Sequence, residues 1–131
     1  MLASERAMNA RLSVAFALVS LGEMSADRYG PLRYLFNGLD QRMYRNVATA
    51  YLVELARSEG VRRTIYSMLA ASNQPGAQNV TKDEKIQLCI VLAQSGQADS
   101  VPYLETLSKD SDPDVAAEGI RSLRALRTRL R

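Results

Sequence analysis

Residues 98–126 read ADSVPYLETLSKDSDPDVAAEGIRSLRAL, and two helical patterns follow one another within them. In the first pattern, Val101, Leu104 and Leu107 recur every three residues, which places them on one side of a helix. Residues 112–113 are Asp-Pro, a typical helix start, because the carboxylate caps free backbone amides and proline suits the first turn. The stretch therefore predicts two amphipathic helices joined by a short turn.

The second helix of this pair has counterparts earlier in the chain. Four segments align without gaps, and the eighth position of each is Leu. The fourth, eighth and eleventh positions are spaced i, i+4 and i+7, which is one face of a helix. We expect this face to be buried in all four helices. The segments are residues 11–22, 45–56, 85–96 and 116–127, and the shared leucines are Leu18, Leu52, Leu92 and Leu123.

A second amphipathic helix is predicted before three of these segments, over residues 28–39, 59–71 and 100–109. Thr81 and Glu84 have the spacing of a capping box. Gly22 and Gly96 stand where a left-handed residue commonly ends a helix. The chain is therefore predicted to form about seven helices in one domain, covering residues 1–131. An unpaired helix over residues 4–22 is followed by three repeats over residues 28–57, 59–96 and 98–128.

Such helix pairs bury their apolar faces by stacking on neighbouring pairs. The VP-x-L-x-x-L pattern, the DPDV turn and the Leu-rich second helix of residues 98–126 resemble HEAT repeats, particularly the short bacterial, PBS-lyase-type repeats. The resemblance implies an all-α, right-handed α-solenoid of stacked antiparallel helix pairs, a class that includes protein-interaction scaffolds. The sequence departs from the family pattern at Ala116, where Arg is usual, and at the extra residues 72–80.

Two further expectations follow from this organisation. Because no helix is predicted before the first segment, the chain is interpreted as a piece of a longer array, the alternative being that its first helix caps the stack. Residues 73–79 are polar and contain a Pro-Gly turn signal, so they are predicted to form a surface loop.

The composition excludes several kinds of chemistry. The 131 residues contain no His and one Cys, which excludes imidazole catalysis, His-containing metal sites and an internal disulfide. Cys89 falls among core positions and is predicted to be inert. The acidic residues at predicted helix starts are interpreted as capping groups, because carboxylates stabilise the positive end of a helix. We predict no catalytic residue, no cofactor and no bound metal.

The longest apolar run, residues 12–21, is much shorter than the roughly 20 residues of a membrane span. No cleavage pattern typical of a signal peptide follows it. The sequence therefore predicts a cytoplasmic protein that does not contact a membrane.

Charge is unevenly distributed along the chain. The net charge is +3, and five arginines lie in residues 121–131 without an acidic residue among them. Three interpretations stay open: the arginines stabilise the negative end of a helix, contact an acidic partner or a next domain, or bind nucleic-acid backbone. No aromatic residue follows Tyr103, which disfavours base stacking at this end.

Basic residues also share the first position of three segments. Arg11, Arg45 and Lys85 are expected to form an intramolecular ladder on turn carboxylates or helix carbonyls of the neighbouring repeat. The alternative is a row that binds anions.

The third, sixth and tenth positions of the segments point away from the predicted core. Apolar residues among them indicate a docking surface, because a solvated face is mostly polar. The alternative is that an adjoining repeat covers part of this face. Phe16 and Ile90 are the predicted apolar anchors, and Glu54 and Arg121 would provide charge complementarity. The predicted partner-binding residues are Phe16, Ser20, Val47, Glu54, Gln87, Ile90, Gln94 and Arg121.

The predicted function is therefore non-catalytic recognition of another protein, or of another domain of the same longer chain, through the concave surface of the second helices. A nucleic-acid-binding module that uses the Arg-rich end is the alternative. A relative of the HEAT-like DNA glycosylases or bilin lyases is less favoured, since a glycosylase pocket would require aromatic stacking and a carboxylate on a basic face.

Overall fold

The computed structural model describes residues 2–22, 30–71 and 80–131. These residues form seven α-helices and no strand, which confirms the predicted all-α class and helix number. The predicted surface loop, residues 73–79, and the predicted start of the second helix at residue 28 lie outside the described residues. The helices are α1 (Leu2–Ser20), α2 (Pro31–Leu39), α3 (Arg45–Leu55), α4 (Glu59–Ala71), α5 (Lys82–Ser95), α6 (Val101–Leu107) and α7 (Pro113–Arg129), with a 3-10 turn at Ala98–Ser100.

Two helix starts have the caps that the sequence predicted. At α5, the Thr81 hydroxyl accepts a hydrogen bond from the Glu84 amide at 3.1 Å, and the Glu84 carboxylate accepts one from the Thr81 amide at 3.3 Å. At α7, the Asp112 carboxylate accepts hydrogen bonds from the amides of Asp114 and Val115. These bonds satisfy amides that have no partner inside the helix.

The two predicted glycine stops differ. Gly22 has φ of +103°, as expected of a left-handed stop after α1. At Gly96 the prediction is wrong, since its φ of −67° and ψ of 169° are extended. A Cβ at Gly96 would lie 2.9 Å from the Cβ of Ser100. Glycine is needed there because the chain turns back closely into the 3-10 turn, not because φ is positive.

The odd-numbered helices contact one another in chain order: α1 packs on α3, α3 on α5 and α5 on α7. Helix α2 packs on both α1 and α3, and α6 packs on α7. Helix α4 reaches the start of α6, where the rings of Tyr66 and Tyr103 stack with centroids 4.1 Å apart. One cluster of buried apolar side chains extends from Leu12 in α1 to Leu126 in α7.

The predicted buried face is correct in three of the four aligned helices. Leu52 and Leu92 are fully buried and Leu123 is 9% exposed, but Leu18 is 42% exposed. Helix α1 is rotated relative to the other three, because it buries Leu12, Ala15 and Val19 against the core instead. Its other apolar row, Val14, Leu18 and Leu21, is exposed. The alignment failed here because both rows of α1 are apolar.

Close helix contact explains the glycine at the fourth position of the last segment. A Cβ on Gly119 of α7 would lie 2.6 Å from the amide nitrogen of Ser108 and 2.8 Å from the carbonyl carbon of Leu107. The two helices approach so closely here that no side chain fits between them.

Candidate functional site

An open groove on the predicted docking face lies between α3 and α5, and we call it the central groove. Its volume is about 460 Å³. Gln87, Ile90 and Gln94, three of the predicted partner-binding residues, line it from α5. Helix α3 contributes Ala50, an apolar residue at the sixth position of its segment that was predicted to face outward, and three residues that were not predicted: Asn46, Thr49 and Val53.

Each wall of the central groove is fixed by the opposite side of its helix. On α3, Ala48 and Leu52 are fully buried, and on α5, Leu88 and Leu92 are fully buried. Since successive residues of a helix are rotated by about 100°, burial of these positions leaves the lining positions turned outward. The groove is therefore held on two helices whose rotation is set by the core.

Two side-chain hydrogen bonds join the helices. The Thr49 hydroxyl donates to the side-chain oxygen of Gln87 at 2.9 Å. Farther along, the Ser95 hydroxyl donates to the backbone carbonyl of Val53. The first bond fixes the orientation of the Gln87 amide, because its oxygen is occupied and its NH₂ group remains available as a donor.

No ionisable side chain lines the central groove. Two predicted charge-complementing residues have partners on their own helices or the adjoining turn: Glu54 pairs with Arg57 at 3.5 Å, and Arg121 pairs with Glu118. The lining combines methyl groups with amides and one hydroxyl. Such a surface suits an uncharged segment, since burying an unpaired charge against it would be costly.

The remaining predicted residues lie around this groove. Phe16 is half-buried, and its ring packs on Tyr51 with centroids 4.7 Å apart, so it contributes to the contact between α1 and α3. Ser20 donates its hydroxyl hydrogen bond to the carbonyl of Phe16. Val47 is 36% exposed on α3. The structure thus brings together Gln87, Ile90 and Gln94, whereas the ring of Phe16 already has an aromatic contact within the chain.

The predicted ladder of basic residues is confirmed at two of its three positions. Arg45 donates to the carbonyl of Leu39 at the end of α2, at 2.8 Å, and pairs with Asp83 of α5 at 3.1 Å. Lys85 pairs with Asp110 at 3.0 Å. The amide of Asp112 and the ammonium of Lys85 lower the pKa of Asp110.

Arg11, the third member, is exposed and lies in a different setting. It lines an apolar groove of about 390 Å³ between α1 and α2. The exposed Val14 and Leu18 form much of this α1 groove, together with Tyr34.

At the Arg-rich end, Arg127 and Arg129 have partners on other helices. Arg127 pairs with Glu105 of α6 at 2.9 Å. Arg129 donates to the carbonyl of Ala93 at 3.2 Å and to that of Gly96, both at the end of α5. Arg129 therefore satisfies carbonyls that a helix end leaves unpaired, in addition to stabilising its own helix.

The groups with potential for chemistry are buried. Cys89 is fully buried, as predicted, and burial raises the pKa of its thiol to about 12. Burial likewise raises the pKa of Tyr66 to about 12. A thiol with such a pKa is almost entirely protonated at neutral pH and is a poor nucleophile. Within the described residues, no cluster of three or more ligand-type side chains could hold a metal ion.

Comparisons of the chain with protein-family models, with curated proteins and with solved structures found no match. The relationship to HEAT repeats stays a prediction. Among the described helices, none combines the length and the apolar character needed to cross a lipid bilayer.

Proposed function

We propose that this protein is a non-catalytic interaction scaffold, built as a right-handed HEAT-like α-solenoid. The chain-order contacts of α1, α3, α5 and α7 support this proposal, because stacked repeats contact their nearest neighbours. The links from Arg45 to Leu39 and Asp83, and from Lys85 to Asp110, support it further. The ion pairs of Arg45 with Asp83 and of Lys85 with Asp110 connect consecutive helix pairs through the same position of the repeat, and the bond from Arg45 to Leu39 joins the two helices of one pair. A cytoplasmic location is part of the proposal.

The central groove is the proposed docking site. The observation that carries this assignment is its lining: an outward-facing surface on two core-anchored helices, free of ionisable groups and rich in amides. Its residues lie where a solvent-facing helix surface would ordinarily carry charge. The partner class that fits is an uncharged segment of another protein or domain. Such a segment would pack one apolar side chain against Ile90 and Val53 and would form hydrogen bonds with Gln87 and Gln94.

Rigidity would help this binding. Because the hydrogen bond between Thr49 and Gln87 holds the groove walls together, little side-chain freedom is lost when a partner docks. Ile90 is half-buried and can bury its remaining surface under a partner. A few apolar contacts of this kind usually dominate the binding free energy of an interface.

The alternative enzyme classes receive less support from the same residues. A carboxylate acting on a substrate must be free to accept or donate a proton. Glu54 and Glu118, the acids on the proposed face, are each paired with an arginine, and Cys89 is buried.

Partner capture from the source cell tests the proposal. Ala50→Glu places a charge inside the central groove, whereas Ser67→Glu places the same side chain on the exposed face of α4 as a matched control. We expect wild-type protein and Ser67→Glu to capture the same partner, and Ala50→Glu to lose it while retaining its helicity. Undiminished capture by a folded Ala50→Glu variant would contradict docking in this groove.

A further inference from the structure

A second groove lies at the far end of the chain, on the side of α7. It has a volume of about 220 Å³, and we call it the terminal groove. Ile120, 48% exposed, contributes apolar surface to it. The other lining residues are Leu123, Arg124, Arg127, Thr128 and Arg131. Apolar surface and guanidinium groups are thus presented together on one face.

Two of the three arginines that line the terminal groove have no ion-pair partner among the described residues. Arg127 already pairs with Glu105. Arg124 and Arg131 are exposed, and neither forms an ion pair within the part of the chain that the structure describes. Unpaired guanidinium groups beside apolar surface suit a ligand that supplies carboxylates and a hydrophobic face together.

The described carboxylates of the chain itself are occupied elsewhere. Each of the nine ion pairs uses a different Asp or Glu, and the remaining two, Asp40 and Glu84, interact with Thr81. The exposed apolar row of α1 has Arg11 beside it and offers no described acid. Among the described residues, a second copy of this chain therefore offers the terminal groove no unpaired carboxylate side chain beside an apolar row.

We propose that the terminal groove binds an acidic amphipathic helix of another protein. Side chains at i, i+4 and i+7 of a helix share one face, as do Ile120, Arg124 and Arg127 of α7, and Arg131 lines the same groove just after the helix ends. A partner helix laid along α7 can therefore place an apolar side chain on Ile120 and carboxylates on Arg124 and Arg131. This surface is separate from the central groove, so the inference goes beyond the proposed function.

The same observations disfavour nucleic acid as the ligand. Of the arginines that line the terminal groove, two have no ion pair with a described residue. About two phosphates would therefore be neutralised there, and the affinity would fall with salt with a logarithmic slope of only about −1.8. A phosphate backbone would also make no favourable apolar contact with the exposed side chain of Ile120. An acidic amphipathic helix can pair its carboxylates with the guanidinium groups and pack an apolar side chain on Ile120.

A binding experiment with full-length protein separates these ligands. The probes are a fluorescent peptide of about 18 residues, roughly five helical turns, with Leu along one face and Glu beside it, a scrambled peptide of the same composition, and a DNA duplex of about 20 base pairs. Fluorescence anisotropy is read at about 50 and 200 mM salt. We expect the amphipathic peptide to bind at least about tenfold more tightly than the scrambled peptide or the duplex.

Variants locate the binding. Arg124→Glu with Arg131→Glu should weaken peptide binding by about tenfold or more, and Ile120→Asn by about fivefold. Arg42→Glu with Lys109→Glu, two exposed positions off this groove, is the matched charge control and should bind normally. Circular dichroism checks that each variant folds. If the charge-reversal variant Arg124→Glu with Arg131→Glu unfolds, the variant Arg124→Ala with Arg131→Ala is measured in its place. Preferred binding of the duplex, equal binding of the scrambled peptide, no peptide binding, or an unaffected double variant would each overturn the proposal.

Discussion

Thr49 of α3 and Gln87 of α5 are joined by a hydrogen bond of 2.9 Å at the central groove, between side chains separated by 38 positions in sequence. The bond fixes one wall of the groove relative to the other. It also orients the Gln87 amide, which a partner would meet.

The first prediction concerns the energy of this contact. Thr49→Val and Gln87→Met each remove the hydrogen bond while retaining much of the side-chain volume. We expect a double-mutant cycle in urea to give a coupling free energy of about 0.5–1.5 kcal/mol, the usual range for such a bond. Additive effects of the two substitutions would show that the bond does not connect α3 and α5 in solution.

The second prediction uses the leucine shared by the aligned helices. Leu52→Ala and Leu92→Ala should each lower the free energy of unfolding by about 2–5 kcal/mol, because both side chains are fully buried and leave cavities. Leu18→Ala should cost less than about 1 kcal/mol, since Leu18 is 42% exposed. Equal costs for Leu18 and Leu52 would contradict the rotation of α1.

The third prediction concerns pH. Burial, reinforced by the nearby carboxylate of Asp40, raises the pKa of Glu84, although the amide of Thr81 and the charge of Arg33 oppose the shift. A carboxyl whose pKa is higher in the folded state contributes stability below its unfolded pKa and loses it as pH rises through the folded value. Glu84→Gln retains the capping box and should remove this loss, so its stability advantage over wild type should grow as pH rises above about 4.5.

Asp110 is the matched control for this measurement, because its pKa is lowered. Its contribution is present above its unfolded pKa and is lost as pH falls through the folded value. Asp110→Asn should therefore be most destabilising near neutral pH and least in acid. A Glu84→Gln variant with the same pH profile as wild type would show that Glu84 titrates normally.

The fourth prediction separates the arginines of α7. Arg129→Ala should lower the free energy of unfolding by about 0.5–1.5 kcal/mol, because it removes hydrogen bonds to carbonyls at the end of α5. Arg124→Ala should change it by less than about 0.5 kcal/mol, as is usual at an exposed position. Thermal unfolding of the two variants checks the difference, and equal effects would contradict a link between α7 and α5 through Arg129.

Much of the fold was predictable because its signals are local. The apolar spacing gave α4 its observed bounds, and the caps at Thr81 and Asp112 were correctly identified from short motifs. Charge at the first repeat position also predicted the contacts of Arg45 and Lys85, since a repeated position places a side chain in a repeated setting.

The remaining features depend on contacts between distant segments. Periodicity could not select which apolar row of α1 is buried, because Leu12 and Leu18 belong to rows of similar character. It could not show that Gly96 is required by close approach to Ser100, or that Phe16 packs on Tyr51. Thr49 was missed in the central groove because it is the fifth residue of its segment, the position that Cys89 occupies in the next segment, and Cys89 was assigned to the core.

The measurement that tests the docking proposal most directly is an amide chemical-shift map of the ¹⁵N-labelled protein titrated with the captured partner. The proposal predicts that the largest shifts fall on Thr49, Ala50, Gln87 and Ile90, and that Ala50→Glu abolishes them. Largest shifts confined to the exposed row of α1 or to residues 120–131, with the central groove unchanged, would contradict it.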